Sequence, residues 1–150
     1  MNNDFVLIDA ENMILGRLAS VVAKRLLNGE RILVVNVEKS VISGKRRSVI
    51  SEAKIMLDVR SLRNPNRGPK LDRFPDRIFR NVVWGMLPKD KASGRRALKR
   101  LSVFIGLPDE YREYPVTRIE EADAGRLSSS YVFLGDLAKE LGWKGGVVVG

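Results

Sequence analysis

A chain of 150 residues with no cysteine and no histidine has no disulfides, no thiolate or imidazole metal site and no Ser/His/Asp triad. Its 44% hydrophobic content supplies one ordinary core, so a single domain over 1–150 is expected and a disordered chain is not. The net charge of +9 is segregated: residues 45–100 carry 17 basic and five acidic groups, the first 44 residues balance, and the last 50 are net acidic.

Met1-Asn2-Asn3-Asp4 lacks the charged and apolar regions of a signal peptide, and no apolar run approaches the ~20 residues that span a bilayer, so a cytoplasmic location is expected. Phe5-Val6-Leu7-Ile8-Asp9 reads as a short buried strand. Leu15, Leu18, Ala19, Val22 and Leu26 then recur at helical spacing, with Asn28-Gly29 as the stop. Arg31–Val37 is almost continuously apolar or β-branched, as a parallel strand covered on both faces should be. Together these make a βαβ unit with a right-handed crossover.

Ser43-Gly44 reads as a turn into a second helical pattern through Val49, Ala53, Met56 and Val59. Asn64-Pro65-Asn66-Arg67-Gly68-Pro69 is too rich in breakers for helix or interior strand. With Arg63, Arg67, Lys70 and Arg73 it reads as an exposed basic loop. Pro75 suits the first position of a helix running to about Leu87, and another helix covers roughly Ala92–Leu101 before a strand at Val103-Phe104-Ile105. The last third holds an acidic stretch (Glu120, Glu121, Asp123), a strand at Tyr131–Leu134, a short helix near Asp136–Leu141 and an apolar tail after Gly145-Gly146. The fold class is α/β with a small, mainly parallel sheet.

The two middle helices hold the candidate site. In the first, Ile78, Phe79, Val82 and Met86 share a face, and Arg77, Arg80 and Trp84 fall within about 60° of one another on the opposite one. An aromatic between two guanidinium groups suits RNA, by stacking plus phosphate contact; a solvated arginine face with Trp84 half-buried fits the same pattern. The second helix repeats the arrangement, with Gly94, Ala97, Leu98 and Leu101 apolar and Arg95, Arg96, Lys99 and Arg100 opposite. Lys89 and Lys91 lie in the connection, and Lys45-Arg46-Arg47 adds a cluster at a helix N-terminus, where backbone N–H groups also favour anions. Gly85 and Gly94 are expected to allow close approach of backbone to RNA or to the next helix.

Competing motifs fail. Ser43-Gly44-Lys45-Arg46 has Lys39 where a P-loop needs its first glycine and Arg46 where Ser or Thr should hold magnesium. No GxGxxG follows the first strand, so the dinucleotide fingerprint is missing. Glu120, Glu121 and Asp123 read as a solvated acidic loop rather than an acid/base or metal cluster. Asp9 and Glu11 stand where α/β enzymes place ligands, but turn formation or pairing with an arginine such as Arg17 is the expected role.

Gly85-Met86-Leu87-Pro88, Gly94-Arg95 and Leu101-Ser102-Val103-Phe104-Ile105-Gly106 resemble the signature of the universal large-subunit ribosomal protein thirteen family. Gly16-Arg17-Leu18-Ala19-Ser20 with Val35-Asn36 is similar to the family's opening βαβ unit, and Val41-Ile42-Ser43-Gly44 to the segment after its second strand in archaeal and eukaryotic members. The resemblance covers nearly the whole chain and is strongest to the archaeal branch. It implies a three-layer α/β/α fold with a four-stranded parallel sheet, and binding to large-subunit rRNA early in assembly beside neighbouring ribosomal proteins. It implies no enzymatic activity, cofactor, membrane or small-molecule substrate. Trp84 departs from the basic or aliphatic residue usual before Gly-Met. The family's RNA-facing region corresponds to the same basic helices and loop that the charge segregation selects.

Overall fold

The computed structural model describes residues 5–58, 73–127 and 129–145. The opening βαβ unit is β1 (Val6–Asp9), α1 (Leu15–Leu27) and β2 (Ile32–Val35). α1 buries Leu15, Leu18, Ala19, Val22 and Leu26, the stripe its spacing predicts, together with Ala23. It ends where Gly29 takes φ +96. There the Gly29 N–H donates to Leu26 O at 3.0 Å and the Glu30 N–H to Arg25 O at 3.2 Å, so the last carbonyls of the helix are satisfied. Glu30 then holds the Arg25 guanidinium through two bonds, at 2.9 and 3.1 Å.

Next come β3 (Val41–Ser43), α2 (Arg46–Asp58), α3 (Pro75–Gly85), α4 (Ala92–Lys99), β4 (Leu101–Val103), β5 (Tyr131–Phe133) and α5 (Leu134–Glu140). The main sheet is parallel in the order β1-β2-β4, with Val6 opposite Ile32 and Ile32 opposite Leu101. Alternate side chains split between two cores. Ile8, Ile32, Val34 and Leu101 face the larger one, covered by α1, α3 and α4, whereas Leu7, Leu33 and Val35 form a smaller cluster on the other face.

That second face does not supply the expected third, helical layer among the described residues. Among the described residues it is covered by Phe5, Phe104, Leu107, Tyr111 and Tyr114 rather than by helices. Gly106 at φ +73, Pro108 and a 3-10 turn at Asp109–Tyr111 keep this segment irregular, and its large rings cover a narrow sheet unaided. The expected four parallel strands are three among the described residues, with one parallel bridge beside β1. There the Thr117 N–H donates to Leu7 O at 2.8 Å and the Asp9 N–H to Thr117 O at 3.2 Å. Pro115, two residues earlier, has no N–H to extend the pairing. β3 and β5 form a separate antiparallel pair, Val41 opposite Phe133, which adds an antiparallel element to the fold.

Candidate nucleic-acid interface

The buried stripe of α3 is Pro75, Phe79 and Val83, while Ile78 and Val82 are half-buried and Met86, just past the helix, is 43% exposed. The helix is therefore turned from the expected Ile78–Met86 face toward Arg80. Arg77 stays exposed, its guanidinium carbon 5.3 Å from the centre of the Phe74 ring. Arg80 is half-buried and donates Nη1 to Leu101 O at 3.0 Å, tying α3 to the start of β4. Trp84 is half-buried and packs on the main core, so part of its ring belongs to the fold.

The turn after α3 fixes how α4 meets it. Lys91 N–H donates to Pro88 O at 3.2 Å, and Leu87 is buried beneath the turn. Gly94 lies directly under Pro88: a Cβ there would stand 2.0 Å from the Pro88 carbonyl oxygen. The close approach at Gly94 is thus to the chain's own backbone, while at Gly85 a Cβ would meet nothing within 4 Å. α4 buries Gly94 and Ala97, with Leu101 beyond it, and exposes Arg95, Arg96 and Lys99.

From Arg73 to Arg100 the chain has nine Lys and Arg residues, and none pairs with a carboxylate among the described residues. Two of the nine are turned inward. Besides Arg80, Arg100 donates Nη2 to Leu26 O at the C-terminus of α1, and its Nε is buried without a hydrogen-bond partner. The other seven, Arg73, Arg77, Lys89, Lys91, Arg95, Arg96 and Lys99, are exposed. The Lys45-Arg46-Arg47 cluster is exposed too, but Glu140 of α5 lies 3.2 Å from Arg46 and 3.7 Å from Lys54, which offsets charge at that end of α2. Arg63, Arg67 and Lys70 lie outside the described residues.

The inward arginines act on stability. Arg80→Ala and Arg100→Ala are each expected to lose about 1.5–3 kcal/mol, the range for hydrogen bonds to charged groups. Arg77→Ala should stay within about 0.5 kcal/mol of the parent, as exposed sites do. Urea denaturation followed by circular dichroism checks this, and equal midpoints for all three would contradict the inward placement.

The C-terminal ends of the strands, where α/β enzymes bind ligands, are satisfied internally. Asp9 Oδ1 accepts from the Glu11 N–H at 3.0 Å and from Asn36 Nδ2 at 3.1 Å. Its other oxygen lies 3.5 Å from Arg118 Nη1, so the arginine partner is Arg118, while Arg17 is exposed on α1. Glu120, Glu121 and Asp123 are exposed, and Asp123 Oδ1 accepts from the Gly125 N–H at 3.0 Å in a local turn. No group of three or more acidic side chains able to hold a metal occurs among the described residues. Burial raises the Tyr111 phenol above its ordinary range, with Glu110 and then Tyr114 adding to the shift, so its O–H is a neutral donor near pH 7.

The family model described as Ribosomal protein L13 matches residues 3–110, which takes in β1 to β4 and both basic helices. The chain belongs to the ribosomal protein L13 family. It is 52% identical over 143 residues to the large ribosomal subunit protein uL13 of Aeropyrum pernix, covering 95% of this chain and 92% of that one. The uL13 of Methanopyrus kandleri is 48% identical over 144 residues, covering 94% and 89%, and that of Sulfurisphaera tokodaii 44% identical over 143 residues, covering 95% and 97%. The L13 motif residues have physical roles here. Gly85-Met86-Leu87-Pro88 forms the turn that Gly94 packs beneath, and Leu101–Gly106 runs as β4 into the segment covering the sheet's second face.

One further cation falls outside the helical pattern. Arg31, at the entry to β2, is exposed and lies with Lys99 and Arg100 around a common cavity. A single arginine at a strand start carries no periodic signal, so its neighbours are visible only in the fold.

Proposed function

We propose that this chain is a structural constituent of the large ribosomal subunit, in the cytoplasm, binding large-subunit rRNA through the α3–α4 surface and the basic stretch of sequence before it. The observation that carries this reading is the run of nine cations with no carboxylate partner among the described residues, seven of them exposed on one stretch of chain. Unpaired cations on a rigid surface gain most from phosphates, because each phosphate neutralised releases condensed counterions. The helices are fixed by the core, so the cations are presented with little ordering cost on binding. Arg77, Arg95, Arg96 and Lys99 contact the backbone, with Lys89, Lys91 and Arg73, and with Arg63, Arg67 and Lys70 from the basic stretch before α3. Lys45 and Arg47 add a weaker site, Arg46 being shared with Glu140. Arg80 and Arg100 hold the surface in place, and the exposed part of Trp84 offers a stacking edge. The role is assembly and support without catalysis or cofactor, and neighbouring ribosomal proteins meet the acidic faces.

Co-sedimentation of the tagged chain with large subunits from its own cells, through a high-salt wash, tests the reading. Stoichiometric recovery in the subunit peak is the expected result. Recovery only in the soluble fraction would overturn it.

A further inference from the structure

Parallel strands give a sheet two unlike ends, and here the ends differ in charge. The C-terminal ends of β1 and β2 gather Asp9, Glu11 and Glu38, the last accepting from the Gly106 N–H at 2.9 Å. The N-terminal ends are basic: Arg31 precedes β2, and Lys99 and Arg100 lead from α4 into β4. A cavity of about 250 Å³ opens at this basic end, and its lining includes Phe5, Arg31, Lys99, Arg100, Ser102 and Tyr111, with Leu33 beside them.

The lining combines two chemistries. Phe5 and Tyr111 stand edge to face with ring centres 5.7 Å apart, on the sheet face that carries no helix among the described residues. Arg31 and Lys99 are exposed and have no ion-pair partner among the described residues. Arg100 brings a guanidinium whose Nε is buried and unpartnered. Ser102 is exposed on β4, and its hydroxyl can both donate and accept. Lysine in the last turn of α4 also offsets that helix's dipole, but Arg31 belongs to no helix and the dipole explains neither it nor the rings. Rings for a base beside cations for a phosphate are the means by which proteins hold unstacked nucleotides.

We infer that this cavity takes one unstacked nucleotide of a single-stranded RNA segment, its base against Phe5 and Tyr111 and its phosphate on Arg31 and Lys99. The inference rests on the proposed rRNA binding and adds to it a single-strand contact away from the exposed face of α3. Ser102 faces the base edge or sugar, and Arg100 closes the basic side.

The test irradiates the purified full chain bound to large-subunit rRNA from its own cells and locates nucleotide adducts by peptide mass spectrometry. Adducts on Tyr111 or Phe5 are the expected result. Tyr111→Ala should weaken binding by about five- to a hundred-fold, the range for one base–aromatic stack, while Tyr111→Phe keeps the ring and stays near the parent. Arg31→Ala, outside the core, should weaken binding without altering the thermal midpoint. Adducts confined to α3 and α4, with Arg31→Ala binding as the parent does, would overturn the pocket and leave the rRNA-binding function standing. Failure of the parent chain to retain rRNA at all would overturn both.

Discussion

The double variant Arg95→Glu/Arg96→Glu is expected to lose large-subunit rRNA affinity by at least about a hundred-fold at moderate salt while remaining folded. Both side chains are exposed on α4, and among the described residues their side-chain hydrogen bonding is one weak bond from Arg96 Nε to Ala92 O at 3.4 Å, within the helix itself. Removing them touches no core contact, so stability should change by no more than about 0.5 kcal/mol. Binding changes for two reasons. On the proposed interface two phosphates would lose their counter-charge, and two carboxylates would face the same backbone. The first effect has its own signature: each phosphate contact contributes about 0.9 to the slope of log affinity against log salt, so the slope should flatten by nearly 2. Filter binding to rRNA across a potassium chloride series measures both quantities. An unchanged slope would show that α4 faces away from the RNA. Glu120→Lys/Glu121→Lys, on the exposed acidic loop, is the matching control and should bind no more weakly than the parent.

What could be read from the sequence follows from how each signal is encoded. α1 was legible because its five apolar positions keep helical spacing and Gly29 must end it: both are local facts. The charge block was legible because charge adds along the chain regardless of fold. Less visible was anything set by contacts between distant segments. β3 is three residues long, too short for an alternating pattern, and exists because Tyr131–Phe133 pairs with it. The aromatic cover of the second sheet face draws on Phe5, Phe104, Tyr111 and Tyr114, which share no period. Arg80 and Arg100 looked the same as their neighbours in sequence. Only the carbonyls of Leu101 and Leu26 distinguish them, one 21 and the other 74 residues away in sequence. The candidate site was therefore readable as a region, while the division of its cations between holding the surface and facing outward required the fold.

Phe79→Ala carries the largest expected stability loss, about 3–5 kcal/mol, the range for emptying a buried phenylalanine site. Phe79 is fully buried on α3, and it is the largest of the fully buried side chains among the described residues. α3 touches α1, β4 and α5, so a cavity there loosens the platform beneath Arg77 without removing any cation. A domain holds only about 5–15 kcal/mol in total, so the urea midpoint should fall sharply. Affinity for rRNA, measured at low temperature where the variant is still folded, should stay near that of the parent. The RNA should in turn restore stability: at a free rRNA concentration a hundred times Kd, binding to the folded state alone adds about 2.7 kcal/mol. The expected result is thus a protein that unfolds easily when alone and, when bound, melts nearer to the unbound parent, while still melting below the bound parent. A Phe79→Ala chain that is equally unstable with and without saturating rRNA would mean that the RNA does not select the folded surface. Rigid presentation of the cations by the α/β core would then be the wrong account of binding.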